Sequence, residues 1–321
     1  MGTHPANVHP TFHDPLCGES MTDHPAPRLS ERLFVALQHL LPQHGLSTLM
    51  HRLARIQWRP LKSLLIAQFA RIYRIDMTQA VEPELSAYPH FNAFFTRPLR
   101  PDARPLDPDP LAVLCPVDGR ISQIGPITTD GRLIQAKGHD YSVRDLLGLA
   151  PGADHPFDGG LFTTIYLAPS DYHRIHMPLT GDLTAMTYVP GRLFSVNHTT
   201  AKLVPGLFAR NERVVCRFAT EAGDMALAMI GAIFVGGIET VWAGEITPPH
   251  SGRSLQHVAH ENGGQSIHLE RGAEMGRFNL GSTVILLFPR DRVQWDPGLA
   301  PGQKVRLGQR LGTRHLSTGA L

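Results

Sequence analysis

Cysteine is scarce in this sequence. Only three of the 321 residues are cysteines, and Cys17, Cys115 and Cys216 are widely separated. An odd, scattered set of this kind argues against a disulfide framework and favours a reducing compartment. No spacing resembles that of a zinc site.

Long apolar runs and a surplus of charge are also missing. No stretch of about 18 apolar residues occurs, so we expect no membrane-spanning helix and only peripheral membrane contact. The formal net charge is +2, which does not indicate a nucleic-acid-binding protein. Residues 1–28 are rich in His, Pro and Asp and lack an apolar stretch. We therefore expect a disordered tail there, and no signal peptide.

The apolar content is 42%, which is sufficient for one large domain or two small ones. Residues 30–77 show the periodicity of amphipathic helices, divided by Pro42, Gly45 and Pro60. The apolar sets are Leu33, Phe34, Leu37, Leu40 and Leu41; Leu46, Leu49, Met50 and Leu53; and Leu61, Leu64, Leu65, Phe69 and Ile72.

Basic side chains are interleaved with these sets. Between Arg52 and Arg74 the sequence carries six Arg or Lys residues and no Asp or Glu. One interpretation is a helical layer packed on the main domain with its charges in solvent. The pattern alone favours it, because amphipathic helices mostly cover cores. The other interpretation is a face that lies on an anionic bilayer.

The sequence changes character after Pro98. A proline-dense connector runs to Pro110, and beyond it short apolar runs alternate with Gly and Pro turns. This pattern is typical of many short strands in a sandwich or an open barrel. The fold class is therefore predicted to be α+β, with a tail over 1–28, a helical region over 29–98 and a β-rich domain over 99–321. Strands are predicted at Leu161–Leu167, Arg213–Phe218, Met225–Val235 and Thr283–Phe288.

A serine hydroxyl directly precedes the last of these strands, in Leu280-Gly281-Ser282-Thr283. A glycine before it can adopt backbone angles closed to other residues, and its carbonyl is uncrowded. Attack by the Ser282 hydroxyl on that carbonyl would convert the peptide bond into an ester. Elimination and hydrolysis would then leave a pyruvoyl group and release ammonia. A polar turn before a buried strand explains the same four residues without chemistry.

His173 and His176 follow another predicted strand, in a polar segment that Pro178 closes. Together with Asp171 they could bind a metal, although no fourth ligand is evident. They could also be ordinary hydrogen-bonded histidines. In a third interpretation, one is the base for a nucleophile and the other a proton donor.

Asp118 lies at a turn bounded by Pro116 and Gly119. An Asx-type turn is the simplest explanation. The carboxylate could instead orient a histidine and stabilise its cation, since Asp, His and Ser relays are recognised by geometry and not by chain order.

Taken together, these segments resemble the phosphatidylserine decarboxylase family of the longer bacterial type, over residues 33–289. Residues 1–28 lie outside the resemblance, and the family accepts Thr283 after the reactive serine. Within Val235–Gly244, which resembles a long strand pair of the family, Gly237 stands where serine is common. The matching segments are Phe91–Arg100, Pro116–Gly119, Asp171–Pro178, Val235–Gly244 and Leu280–Thr283.

The resemblance implies a role for each candidate residue. Asp118, His176 and Ser282 would form the relay that drives self-cleavage after Gly281, and His173 would serve the decarboxylation. The products would be a β chain ending at Gly281 and an α chain beginning at a pyruvoyl group made from Ser282. This pyruvoyl group would be the covalent cofactor, and no metal is expected.

The implied activity is decarboxylation of phosphatidylserine to phosphatidylethanolamine, through an imine with the pyruvoyl group. The helical region would sit against the membrane, which implies peripheral attachment to the cytoplasmic side of the cell membrane. The expected partners are phosphatidylserine, an anionic membrane surface and the chain's own two fragments. A homodimer is left open, and no nucleic acid is expected.

Three other interpretations remain. A pyruvoyl-dependent decarboxylase of a soluble amino acid would use the same cleavage site, although the basic helical region argues against it. A non-catalytic lipid-binding or scaffold protein would never cleave. A zinc hydrolase would use His173 and His176 as ligands.

Overall fold

The computed structural model describes residues 28–136, 138–234, 237–247, 256–258, 266–279 and 281–315. The expected tail, apart from Arg28, lies outside the described residues, as do Cys17, Val235, Gly236 and Leu280. Within these ranges the helices are α1 Leu29–Leu40, α2 Gln43–Leu53, α3 Arg59–Tyr73, α4 Phe91–Phe95, α5 Val143–Leu147, α6 His198–Leu203 and α7 Leu207–Arg210. Short 3-10 helices are Met77–Gln79, Leu85–Ala87 and Pro101–Ala103.

The strands of the described ranges are short, as predicted. In chain order they are β1 Ala112–Leu114, β2 Gly119–Pro126, β3 Arg132–Ala136, β4 His139–Ser142, β5 Leu161–Leu167, β6 Arg174–His176, β7 Gly181–Val189, β8 Arg213–Thr220, β9 Gly223–Ile230, β10 Ile238–Thr240, β11 Gly244–Thr247, β12 Gln256–Val258, β13 His268–Leu269, β14 Glu274–Phe278, β15 Ser282–Phe288, β16 Val293–Trp295, β17 Lys304–Val305 and β18 Arg310–Arg314.

The N-terminal helical region is confirmed, and prolines set two of its boundaries. Pro42 separates α1 from α2 and caps the start of α2. Pro60 lies in the first turn of α3, where a missing backbone N–H leaves no hydrogen bond unmade. Gly45, expected to divide the pattern, lies inside α2 without interrupting it.

Helix α1 turns its leucine side chains outward. On α1, Leu33, Leu37 and Leu40 are 60%, 54% and 83% exposed, whereas Gln38 is only 3% exposed. The interpretation of α1 as a core-covering layer is therefore wrong for its leucine face. Polar groups make the inner contact instead: the Ser195 backbone N–H donates to Gln38 Oε1 at 2.8 Å, and the Leu193 N–H donates to Gln43 Oε1 at 2.9 Å.

The predicted strands are found with small differences at their ends. β5 matches the prediction, β8 extends two residues further, and β15 begins one residue earlier, at Ser282. The strand predicted over Met225–Val235 ends at Ile230. The chain leaves the sheet there, and Phe234 adopts a positive φ of 67°.

The sheets are open, and the fold is α+β as predicted. The largest sheet has the order β12-β7-β8-β9-β15-β5-β2-β17, with β13 also paired to β7. Every residue of β15 is buried, as expected for a central strand covered on both faces. Smaller sheets have the orders β11-β10-β14-β6, β1-β18-β16 and β3-β4.

Two crossings between sheets meet at one corner. The chain passes from β5 to β6 and from β14 to β15, and in each case it leaves one sheet for the other. β5 pairs with β15 and β6 pairs with β14, both antiparallel. The segment 168–173 therefore lies beside Phe278 and Gly281, which brings His173 next to the predicted reactive serine.

Candidate active site

Ser282 is the first residue of β15 and is fully buried. It lies opposite Leu167, the last residue of β5. Its hydroxyl has no hydrogen-bond partner within the described residues. A buried hydroxyl without a partner is costly, and such groups are rare in folded proteins unless they serve a function.

Gly281 occupies the other side of the expected cleavage bond. A Cβ at this position would lie 3.6 Å from the Leu167 oxygen and 3.8 Å from His173 Nε2. These are ordinary van der Waals distances, and they show that Gly281 lies directly beside His173 and the end of β5.

His173 is fully buried at the corner. Its Nδ1 lies 2.8 Å from the Asp171 carbonyl oxygen, so Nδ1 carries the proton and Nε2 is left as a free base. Nε2 has no hydrogen-bond partner within the described residues. Burial, partly offset by the hydrogen bond to Asp171, lowers the pKa of His173 to about 3, so the ring is neutral at physiological pH.

His176, three residues further on at the end of β6, shows the same arrangement. Its Nδ1 lies 2.8 Å from the Gly272 carbonyl oxygen, and its Nε2 is buried without a partner within the described residues. Burial is the largest influence and lowers the pKa of His176. Both histidines are thus neutral, with an unprotonated Nε2 available to accept a proton.

Asp118 lies next to this segment but is held by other groups. The backbone N–H of His176 donates to the Pro116 oxygen at 2.9 Å, which fixes the Asp118 turn beside β6. The Asp118 carboxylate accepts from Arg104 Nε at 2.9 and 3.0 Å and from the Leu307 N–H at 2.9 Å. No hydrogen bond joins Asp118 to His176, although the Asp118 charge raises the pKa of His176 against the larger effect of burial.

The structure therefore brings His173, Gly281 and Ser282 to one buried corner. His176 follows three residues later on β6, with Asp118 alongside and not hydrogen-bonded to it. Sequence reasoning missed Arg104, which lies in the proline-rich connector. It also missed Phe95, whose ring centroid is 4.3 Å from that of His173, and Asn279, two residues before the cleavage bond. Each acts through a contact distant in sequence, so no local pattern marks it.

This arrangement suits acyl transfer within the chain. A hydroxyl, an adjacent uncrowded carbonyl and neutral imidazoles are enclosed in a dry site, where a base can remove the hydroxyl proton as the oxygen attacks. Over the described ranges, no group of three His, Cys, Asp or Glu side chains is placed to hold a metal ion. None of the helices in the described part of the chain is both long and apolar enough to cross a bilayer.

The chain is similar to a set of bacterial proteins. A family model described as phosphatidylserine decarboxylase matches residues 91–313, and one described as PSD matches residues 33–74. The phosphatidylserine decarboxylase proenzyme of Pseudomonas fluorescens is 57% identical over 285 residues, covering 88% of this chain and 98% of the relative. The protein of the same name from Ectopseudomonas mendocina is 56% identical over 291 residues, covering 90% and 100%. That of Azotobacter vinelandii is 54% identical over 287 residues, covering 88% and 99%.

Proposed function

This chain belongs to the phosphatidylserine decarboxylase family, and we propose that it is a proenzyme that cleaves itself between Gly281 and Ser282 and then converts phosphatidylserine to phosphatidylethanolamine. The observation that carries the proposal is the buried, unpartnered Ser282 hydroxyl beside the peptide bond that the family cleaves. The neutral imidazole of His173 lies beside Gly281, and that of His176 follows three residues later; the Nε2 of each lacks a partner within the described residues. A structural serine would need neither feature.

Self-cleavage begins with an exchange of an amide for an ester. Ser282 Oγ adds to the Gly281 carbonyl carbon while its proton moves to a histidine Nε2. The Gly281–Ser282 C–N bond then breaks, and the proton passes to the departing Ser282 nitrogen. A base next removes the Ser282 Hα, the Cβ–O bond breaks, and Gly281 leaves as a carboxylate. The resulting dehydroalanine takes up water and releases ammonia, which leaves a pyruvoyl group as the first residue of the α chain.

We assign the base of this first step to His176. Its backbone is tied to the Asp118 turn through Pro116, and the nearby Asp118 charge favours the cation that His176 becomes. Asp118 would thus act through charge at close range and not through a hydrogen bond. Arg104 holds the carboxylate in place.

His173 is assigned to the decarboxylation. The residues at the corner fit a pyruvoyl group made from Ser282, because the neighbouring Gly281 carboxylate would leave and vacate the space beside His173 Nε2. Once formed, that group supplies the electron sink for loss of carbon dioxide. His173 is buried and neutral, so it can hold and return a proton where the substrate carbon is left with a negative charge.

We further propose that residues 29–98 attach the enzyme peripherally to the cytoplasmic face of the membrane. The support is the outward apolar face of the helices, with Leu33, Leu37, Leu40 and Trp58 all more than half exposed. Fewer basic residues are available than the sequence suggested. Lys62 is buried against the backbone oxygens of Ser86 and Tyr88, and Arg55 pairs with Glu245 at 3.1 Å. Exposed basic side chains that remain are Arg52, Arg59, Arg71 and Arg74.

The test of the proposed function is a comparison of the full-length chain with its Ser282→Ala variant. The wild-type chain should give two bands on a denaturing gel, the smaller beginning at position 282 with a blocked N-terminus by mass spectrometry. It should release carbon dioxide from phosphatidylserine in vesicles and not from free serine. Ser282→Ala should remain one inactive chain. Cleavage of Ser282→Ala would place the site elsewhere, and release from free serine would favour the soluble amino acid decarboxylase.

A further inference from the structure

A cavity of about 340 Å³ adjoins the catalytic corner. Its lining includes Asp118, and also Asp171 and Tyr172, which directly precede His173 in the chain. Tyr73 and Arg74, at the C-terminal end of α3, line it as well. The neighbouring Ile72 is 68% exposed on the outer apolar face. The cavity therefore lies between the end of α3 and the segment that precedes His173.

Arg97 is the unusual group in its wall. This arginine is only 6% exposed, and its Nε has no hydrogen-bond partner within the described residues. Its protein contacts are one Nη1 hydrogen bond to the Phe94 oxygen at 3.3 Å and the Phe94 ring at 5.3 Å. No carboxylate of the described residues forms an ion pair with it. Burial lowers the pKa of Arg97, which means that its charge is held at a cost that an anion would offset.

The other charges of the cavity leave it positive. Arg74, Lys304 and Arg306 also line it. The acidic groups are occupied by the protein itself: Asp118 by Arg104 and the Leu307 N–H, Asp171 by the Ala168 N–H at 2.7 Å, and Asp76 by Thr78 and Gln79. An anion that entered would therefore meet the buried Arg97, whose charge no carboxylate of the described residues neutralises.

We propose that this cavity binds the phosphodiester group of the lipid substrate, and that Arg97 is the residue that binds its oxygens. This inference rests on the proposed function for the identity of the lipid. The substrate headgroup carries two anions, a phosphodiester and a carboxylate. An arginine on the carboxylate would stabilise the ground state that must lose its charge as carbon dioxide departs, and would slow the reaction. An arginine on the phosphodiester binds equally well before and after decarboxylation, through the planar donor fork that suits phosphate oxygens.

Binding is best measured without turnover, in the full-length Ser282→Ala chain. Calorimetric titration would use four probes: glycerophosphoserine, glycerophosphoethanolamine, free serine and inorganic phosphate. Both phosphodiesters should bind, and free serine should not. Arg97→Gln should weaken both by roughly 10- to 100-fold, the range for a lost hydrogen bond to a charged group. Arg97→Lys should weaken them by less, and the exposed Arg290→Gln, outside the cavity, should leave the affinities unchanged.

Two results would overturn the assignment. Binding of serine that also depends on Arg97 would place the carboxylate there. Inorganic phosphate binding as tightly as the phosphodiesters would show a site for free phosphate and not for the lipid headgroup. Should Arg97→Gln fail to fold, the exposed pair Lys304→Gln and Arg306→Gln provides a second variant. It should weaken phosphodiester binding several-fold, and an unchanged affinity would reject the cavity.

Kinetics on the cleaved enzyme separate this inference from the proposed function. With phosphatidylserine in mixed micelles, Arg97→Gln should raise KM by roughly the same 10- to 100-fold with kcat and self-cleavage nearly unchanged, as for uniform binding of ground and transition states. A lowered kcat at unchanged KM would contradict it. A wild-type chain that binds the phosphodiesters but never decarboxylates the lipid would refute the proposed function alone.

Discussion

Arg104 holds Asp118 through both carboxylate oxygens, with its Nε 2.9 Å from Oδ1 and 3.0 Å from Oδ2. Arg104 Nη1 also donates to Gln79 Oε1 at 2.7 Å. Arg104 therefore links the proline-rich connector to the turn that carries Asp118. Asp118 is only 7% exposed. If His176 is the base of self-cleavage, as proposed above, the Asp118 carboxylate would stabilise the cation that His176 becomes.

The first prediction concerns this pair. Asp118→Asn keeps the size of the side chain but removes its charge, so uncut precursor should accumulate on denaturing gels. Arg104→Met should slow cleavage as well, since it leaves the Asp118 carboxylate without its main partner. The double variant should be no slower than Asp118→Asn alone, because the two residues act as a unit. Asp102→Asn, in an exposed ion pair with Arg100, is the control and should cleave normally.

The second prediction separates the two histidines. His176→Ala should leave the chain uncut, because Ser282 then lacks its base. His173→Ala should cleave into two chains, with a new carbonyl group that a hydrazide reagent labels. Its turnover should fall by roughly 10²- to 10⁴-fold, the usual range for a lost general acid or base. An uncut His173→Ala chain together with normal cleavage of His176→Ala would exchange the two roles.

How far the sequence predicts this site depends on the kind of contact involved. The strand pattern correctly predicted β5 and β15, and the polar segments that follow or precede them placed His173, His176 and Ser282 near strand ends. Nothing local could show that β5–β6 and β14–β15 cross between sheets at the same corner, because that follows from pairing between distant strands.

The helical region shows the same limit in another form. Periodicity correctly predicted α1–α3, but it cannot tell which face of an amphipathic helix is turned to the protein. On α1 the buried positions are Val35 and Gln38, and the leucines point away. The partners of Gln38 and Gln43 lie in the segment around Leu193 and Ser195, more than a hundred residues further along the chain. Only the folded structure reveals that this polar inner face exists.

The third prediction is a pH dependence of stability, measured by urea unfolding of the uncut Ser282→Ala chain. The folded-state pKa of His173 is lowered to about 3 by burial, whereas an unfolded histidine titrates near pH 6.5. Between these values the unfolded chain binds a proton that the folded chain does not. The unfolding free energy should therefore decrease as the pH falls below about 6.5, by about 1 kcal/mol per pH unit from this residue.

The variant that tests this is Ser282→Ala with His173→Gln. Its stability should fall less steeply with decreasing pH, by that same amount of about 1 kcal/mol per unit. His39→Gln, which removes an exposed histidine on α1, is the matched control and should keep the slope of the parent. Parallel slopes for the parent and the His173→Gln chain would show that folding does not lower the pKa of His173.

The fourth prediction concerns membrane attachment through the outer face of the helices. Leu33→Gln, Leu37→Gln and Leu40→Gln together should weaken binding to vesicles that contain phosphatidylserine, because burial of each leucine contributes about 1.5–3 kcal/mol. Self-cleavage should be retained, since these side chains face away from the catalytic corner. Sedimentation with vesicles measures binding, and a denaturing gel measures cleavage. Full vesicle binding by the triple variant would exclude this face as the attachment surface.

The salt dependence of vesicle binding tests the same attachment through its basic residues. Basic groups near an anionic surface contribute about 1 kcal/mol each and are screened by salt. Replacing the exposed Arg52 and Arg59 by Gln should lower both the affinity for anionic vesicles and its sensitivity to salt. Replacing Lys62 should instead unfold the region locally, because its amine is buried and holds the Ser86 oxygen at 3.0 Å.

The last prediction concerns Asn279, which couples the helical region to the cleavage bond. Its Oδ1 accepts from Asn92 Nδ2 at 3.1 Å, and its Nδ2 donates to Glu245 Oε1 at 3.3 Å. Glu245 in turn lies 2.6 Å from His51 Nε2 on α2. Asn279 is therefore held from two sides, by α4 directly and by α2 through Glu245. We expect these hydrogen bonds to position the Gly281 carbonyl for attack by Ser282.

Asn279→Ala should therefore slow self-cleavage by roughly fivefold, the effect of about 1 kcal/mol from a lost hydrogen bond. Asn92→Ala should slow it by a similar factor, and the double variant should be little slower than either single one, because both remove the same contact. Asn197→Ala, which removes the cap of α6, is the matched control and should cleave at the wild-type rate.

Deleting residues 29–98 should abolish cleavage as well as membrane binding. A deletion that still cleaves at full speed would show that the corner positions its own carbonyl without the helices.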